Sequence, residues 1–512
     1  MKREAPLNYS YPDSVNKNSV LSMSVDEYHV NKWRNSLMKT QSKVDKSNNM
    51  EKSGPSRKVL VLNGSPTGEN SITLQTVLFI ANAFSNTEFS YLHVGKSIKA
   101  YEKDFAECRT ALEKADLILF CYPVYTFLVP SQLHRFIELI KENGVDLNGK
   151  YATQISTSKH FYDVTAHQFI QDNCNDLGMR SIRGLSADME DLLSEKGQNE
   201  ALDFFRFVEW SMDNQAYEPV REIMRAEASL AEATVPPEKE LQDKHVHKVA
   251  LVTDLADPEN SQLQKMIDRF RAKFNGEVVL VNLHEFNFFG GCQGCFHCAS
   301  DGTCIYKDGF QELLRNRIQT TEATVYAYTV KDHSMGYRFK LFDDRQFCNG
   351  HRTVTMGKPV GYLVDGMLSA EPNLTMLMES RAQVGGNYLA GIASNEKEPD
   401  REIDQLALAL EYAIENHYQP PKNFYGVGGL KIFRDLIYQM QGLMREDHRF
   451  YKEHGFYDFP QKRKAMILGM YLVGSMMNNK KLSKKLGAKM TEGMLMPYQR
   501  ALKKRKKEHG KT

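Results

Sequence analysis

Short apolar runs alternate with longer stretches of helical periodicity along most of the chain. Val59 to Leu62 is the first run; it ends in Asn63-Gly64-Ser65-Pro66, and helical spacing follows from Ile72 to Phe84. The alternation continues through predicted strands at Phe89 to Val94, Ala115 to Cys121, Tyr151 to Ser156 and Ser181 to Leu185, with helices over 103–113, 131–142 and 163–177. Five strands separated by helices predict a parallel, doubly wound α/β sheet. A charged stretch containing Pro236-Pro237 interrupts the pattern, which then restarts with strands at Val249 to Thr253, Val278 to Val281, Ala323 to Tyr328, Val360 to Val364 and Tyr388 to Ile392. Helices are predicted between them over 262–274, 335–346, 373–383 and 401–416. The two halves read as remote copies of one architecture.

This divides the chain into a mobile Ser-, Asn- and Lys-rich arm (1–57), a first α/β domain (58–225), a linker (226–247), a second α/β domain (248–418) and a Met-rich helical extension (419–512). Within the extension, Ile432 to Met444 and Ala465 to Met477 are the clearest apolar-faced helices. The second is too short to cross a bilayer and is interrupted by Gly469 and Gly474, so a buried or partner-facing helix is expected. No apolar leader with a cleavage site opens the sequence, which predicts a reducing, cytoplasmic setting. Lys and Arg (66) nearly balance Asp and Glu (64), which argues against a nucleic-acid protein with a wholly basic surface. Only Lys503 to Lys507 forms a basic run, read as a solvated helix end.

Four of the eight cysteines, Cys292, Cys295, Cys298 and Cys304, lie within thirteen residues after the second strand of the second domain. Four thiolates on short spacers suit one soft metal centre, and a continuous run fits an iron-sulfur cluster better than the two separated knuckles of structural zinc sites. A zinc site and a metal-free reduced loop remain the alternatives. Cys108, Cys174 and Cys348 read as isolated thiols, and Cys121 as a buried structural one.

In open parallel sheets, ligands sit beyond the carboxyl ends of the strands. After the first strand, Ser65, Pro66, Thr67, Asn70, Ser71 and Thr73 offer hydroxyls and backbone N–H groups at a helix start, a cradle for a phosphate. After the third, Pro123, Val124, Tyr125, Thr126 and Phe127 combine a stiff backbone with aromatic faces suited to a flat heteroaromatic ring. After the fourth, Thr157 and Ser158, followed by Lys159 and His160, add polar groups.

Gly64, Ser65, Pro66, Asn70, Ser71 and Thr73, with Pro123, Val124, Tyr125, Pro130, Leu133, Phe136 and Ile137, resemble the two loop motifs of the NADPH-dependent FMN reductase family. In the second of these motifs Tyr122 replaces a Thr; the cysteine run followed by Ile305-Tyr306-Lys307-Asp308 is similar to the iron-sulfur flavoproteins within the family, although Gly309 stands where a second Asp is common. The resemblance implies two tandem flavodoxin-like folds, FMN on the first, a [4Fe-4S] cluster on the second, and NADPH or NADH as electron donor. The second domain departs from the motif: Asp254, Asp257 and Glu259 stand in its first loop, where they would repel a phosphate, and its second loop lacks the Pro-Val-Tyr unit.

The resemblance thus implies an internal pseudo-dimer, with a further homo-oligomer left open, in which one half keeps the flavin loops and the other the cysteines. The expected activity is NAD(P)H-dependent flavin reduction with electrons passed to the cluster and on to a small-molecule or protein acceptor; no acid–base residue is required. A simple FMN or quinone reductase with empty cysteines, and a non-catalytic redox sensor or carrier, are the competing expectations.

Overall fold

The computed structural model describes residues 56–160, 163–220, 230–237, 247–259, 261–477, 495–496 and 498–505. The expected amino-terminal arm lies outside the described residues, apart from its last two positions. The chain divides into two units, Met1–His448 and Arg449–Thr512.

The larger unit holds two parallel sheets of the same strand order. The first comprises β1 (Arg57–Asn63), β2 (Thr87–Leu92), β3 (Leu117–Pro123), β4 (Tyr151–Ser158), β5 (Arg180–Ser181) and β6 (Leu185–Asp188). Its order is β2-β1-β3-β4-β5, with β6 also pairing with β4. The second comprises β7 (His247–Thr253), β8 (Gly276–Asn282), β9 (Ala323–Thr329), β10 (Pro359–Asp365) and β11 (Tyr388–Ser394), ordered β8-β7-β9-β10-β11. Both are the flavodoxin-like doubly wound order, in which the reversal between the first and third strands opens a crevice at their carboxyl ends.

Burial on both faces explains why β1 and β7 are continuous apolar runs. Val59 and Val61 face an outer core under the helices Ile72–Ala83 and Glu195–Asp213, whereas Leu60 and Leu62 face inward. In β7, Val249 and Leu251 point outward and Ala250 and Val252 inward. The inward cores are one: a single cluster runs from Leu60 and Phe120 through Phe136 to Phe339, Phe342 and Tyr362. The helices Ser131–Glu142 and Gly336–Arg345 pack together inside it.

Two local features differ from expectation. The fifth strand of the first sheet is not one strand from Ser181 to Leu185 but two segments, making six strands in that sheet. Between them the register on β4 shifts by one residue, from Ser181 opposite Ala152 to Leu185 opposite Ile155, and Gly184 lies against Gln154, where a Cβ would sit 2.3 Å from its side chain. The helix Glu195–Asp213, capped by Ser194 accepting from the Gly197 N–H at 3.0 Å, is an additional element that closes the first half.

In the larger unit, Ala231 N–H donates to the Asn395 carbonyl at 2.7 Å, and Thr234 is held by Asp400 and Arg269, so this part of the inter-sheet connection is fastened to the second half. The helix Phe424–Gln439 packs on Pro372–Gly385. In the smaller unit, the helix Lys464–Met477 is not buried: every described side chain from Lys464 to Met476 is exposed except the intermediate Gly469.

Candidate flavin and cysteine-loop site

The loop after β1 is built around Asn63. Its amide donates to the Gly68 carbonyl at 2.8 Å and its Oδ1 accepts from the Ser65 N–H at 3.2 Å, closing a tight turn that leads through Gly68 (φ +59°) into the helix Ile72–Ala83. Ser71 caps that helix by accepting from the Leu74 N–H at 3.3 Å, which leaves the first N–H groups, those of Ile72 and Thr73, without intrahelical partners. The loop is braced from behind by Gly95: a Cβ there would fall 2.2 Å from the Ser65 carbonyl carbon. Ser65, Pro66, Ser71 and Thr73 are buried, while Thr67 and Asn70 are exposed at the rim. A helix start with free N–H groups beside serine and threonine hydroxyls suits a phosphate dianion.

The loop after β3 is a tight two-residue turn. Tyr125 and Leu128 exchange backbone hydrogen bonds at 2.8 and 2.9 Å, and both residues between them, Thr126 (φ 45°) and Phe127 (φ 68°), are left-handed. The Val124 N–H donates to the Thr157 carbonyl at 3.1 Å, so this turn and the loop after β4 form one rim beside the first loop. Its side chains face the second half. Thr126 donates to Asp344 at 3.1 Å and accepts from Lys340 at 2.6 Å, Lys340 also donates to the Tyr125 carbonyl, and Phe127 is buried with Arg381 5.9 Å from its ring centre.

The second half repeats this turn. Lys331 and Ser334 exchange backbone bonds at 2.9 and 3.0 Å around left-handed Asp332 and His333, which face the first half through Lys141, Asn173 and Asp176. The relation is reciprocal at the helix starts as well: Asp344 accepts from the Ser131 N–H at 2.7 Å, and Glu138 accepts from the Tyr337 N–H at 2.8 Å. Each helix thus supplies a carboxylate to the other's positive end. Burial alone would raise Glu138, but His134 and Lys331 beside it hold it down at about 2. In the second half, burial pushes Asp254, in the loop after β7, up to about 7.

The cysteine loop docks on the first half's rim. Gly294 (φ +62°) meets Tyr125 so closely that a Cβ would lie 2.0 Å from the phenol oxygen. Gln132 donates to the Cys292 carbonyl at 3.4 Å, and Gly291 abuts Ser131 and Gln132. Burial first, and then Cys292, Asp344 and Cys295, raise the Tyr125 phenol well above its ordinary range. Tyr125 is therefore the side chain that joins the turn after β3 to the cysteine loop.

Behind the loop, Arg345 holds its base. Buried Arg345 and Asp308 pair through two hydrogen bonds of 2.8 Å, Arg345 donates to the Gly290 carbonyl at 2.9 Å, and its guanidinium stacks 4.5 Å from the Tyr306 ring centre. Cys298 is pushed up to about 11, by burial first and then by Asp447, Cys295 and Cys304. Cys348 is not isolated: it is buried close enough to Cys304 and Cys298 for their charges to add to the burial that raises it to about 12, against the opposing charge of Arg315. Among the described residues, no three His, Cys, Asp or Glu side chains converge as one metal ion requires. A cavity of about 590 Å³, lined by Gln154, Asp163, His167 and Arg183 at the broken strand, takes no part in either loop.

Residues 57–188, the whole first sheet, match the profile of the NADPH-dependent FMN reductases. The chain carries a domain of the NADPH-dependent FMN reductase family. It is thereby an oxidoreductase, with FMN and NAD(P)H the family's cofactor and donor. The FMN reductase match stops before β7, short of the cysteine loop. An iron-sulfur flavoprotein from Archaeoglobus fulgidus is 26% identical over 192 residues, covering 36% of this chain and 86% of that protein. Among solved structures, an FMN-dependent NADH-azoreductase from Bacillus anthracis in complex with FMN is 15% identical, covering 31% of this chain and 99% of that one, with a TM-score of 0.24. A flavodoxin from Pseudomonas aeruginosa is 16% identical, covering 30% and 99%, with a TM-score of 0.23.

Proposed function

We propose that the FMN reductase domain holds FMN, that Cys292, Cys295, Cys298 and Cys304 hold a [4Fe-4S] cluster, and that the chain moves electrons from NAD(P)H through both to an external acceptor. The observation that carries this reading is the seating of Tyr125, from the ring-binding rim, on Gly294 between Cys292 and Cys295. Bound flavin takes two electrons as a hydride and releases them singly, while a four-thiolate cluster carries one at a time.

The chain's own groups fit both parts. Ile72 and Thr73 N–H, with Ser65, Thr67, Asn70, Ser71 and Thr73, would hold the phosphate, and Pro123 to Tyr125 with Thr157 and Ser158 would border the ring. The cysteines arise from one loop with left-handed Gly294, Phe296 and Gly302, which lets a short segment wrap a centre. Arg345, Arg315 and Lys307 lie around the loop and would offset its negative charge.

Chain purified without air should contain FMN and iron, with a broad visible shoulder that Cys295→Ser removes and a flavin band that NADPH bleaches. A shoulder that persists in Cys295→Ser overturns the cysteine assignment. The lack of convergence on one point favours a second reading, a plain FMN reductase, in which iron is absent while NADPH turnover remains.

A further inference from the structure

We propose that the smaller unit is a membrane-surface anchor that inserts the helix Lys464–Met477 into anionic lipid. From Ala465 to Val473 the helix is apolar at every position except Gly469 and Tyr471, so apolar side chains occur on all faces rather than one stripe. A helix of that kind is stable in a core or in lipid. Here Met466, Leu468, Met470 and Leu472 are each about 60% exposed and Tyr471 is 75% exposed, and Cβ atoms at Gly469 and Gly474 would meet nothing within 4 Å. Fourteen residues rise about 21 Å, short of the roughly 30 Å hydrocarbon core, and no described helix is long and apolar enough to span it. Insertion from one side is the geometry left.

Charge selects the occupant. Residues 460–512 carry 15 Lys and Arg against 2 acidic residues, a net of +13 in a chain whose total is +2, so the rest of the chain is at −11. Lys462, Arg463 and Lys464 precede the helix directly, and Arg500, Lys503, Lys504 and Arg505 lie on exposed positions further on, beside exposed Leu495, Tyr498 and Leu502. Basic residues flanking apolar ones, with tyrosines among them, match a surface that is anionic outside and apolar beneath. Pairing this segment with the same segment of a second copy would bring two positive regions together, which their repulsion opposes. RNA would satisfy the charge and leave the apolar helix in water.

The test is co-sedimentation of the full chain with vesicles of equimolar phosphatidylserine and phosphatidylcholine, against phosphatidylcholine alone. Binding is expected to the mixed vesicles and to weaken with salt. Each basic residue near the surface contributes a factor of about five, so replacing Lys462, Arg463 and Lys464 with Gln should weaken binding about 100-fold. Leu468→Asp with Leu472→Asp should abolish it, with far-UV circular dichroism unchanged because both positions are exposed. The proposal falls if the mixed vesicles do not bind the chain, if this double variant binds them as well as the parent, or if the variant instead dissolves a dimer of a chain that ignores vesicles. Single-stranded RNA binding tighter than vesicle binding and indifferent to the double variant would also overturn it.

Discussion

Replacing Arg345 with methionine removes a buried cation while keeping much of its volume, so the loss falls on polar contacts. Two charge-assisted bonds to Asp308 and one to the Gly290 carbonyl disappear, leaving the Asp308 carboxylate buried with only the Phe289 and Phe310 N–H groups. Stranding one member of a buried ion pair costs about 3–5 kcal/mol. Because the inner core joins both sheets, the cooperative unit is large, and about 2 °C per kcal/mol applies, giving a drop of roughly 6–10 °C in Tm by calorimetry. Adding Asp308→Asn removes the orphaned charge and should recover part of the loss. The cysteine loop, released at Gly290, should also retain less iron after reconstitution. An Arg345→Met variant that melts within about 2 °C of the parent refutes the reasoning, and so does a double variant no more stable than the single one.

Other expectations concern the internal interface and the phosphate loop. Despite burial, Asp176 and Glu371 raise His333 to about 10, so its protonated form contributes stability that is complete below pH 6.5 and lost as pH rises towards 10; hydrogen exchange should show loosening of the Asp332–His333 turn across that window. Glu138, held down at about 2, works in the opposite sense: its contribution is complete above its unfolded value near 4.5 and lost as pH falls towards 2, and Glu138→Gln should flatten the acid limb of a Tm–pH curve. Gly95→Ala must displace the Ser65 backbone, so FMN affinity, measured by fluorescence quenching, should fall at least about 10-fold; unchanged affinity would remove this loop from the flavin site.

The doubly wound sheets were legible because each central strand is buried on both faces and each is followed by helical spacing. Val59 to Leu62 and Val249 to Thr253 declare themselves as runs no surface strand would show. What escaped depends on contacts distant in sequence. Nothing near Arg345 announces a partner 37 residues earlier, and Cys348 looks solitary until the fold lays it beside Cys298 and Cys304. Thr126 and Phe127 were legible as part of a loop after the third strand, but not as side chains engaged by Lys340, Asp344 and Arg381 of the other half. The apolar stretch at Ala465 was legible as a helix, whereas its exposure was not, because periodicity reports shape and not surroundings.

The exchange of carboxylates between Ser131–Glu142 and Gly336–Arg345 ties together two sheets that belong to one polypeptide. In a homodimer, contacts of this kind dissolve on dilution, and any traffic across them becomes second order in protein. Here the partner arrives on a tether, so the effective concentration is set by the linker rather than by expression level. The pairing of the two sheets should therefore not weaken on dilution.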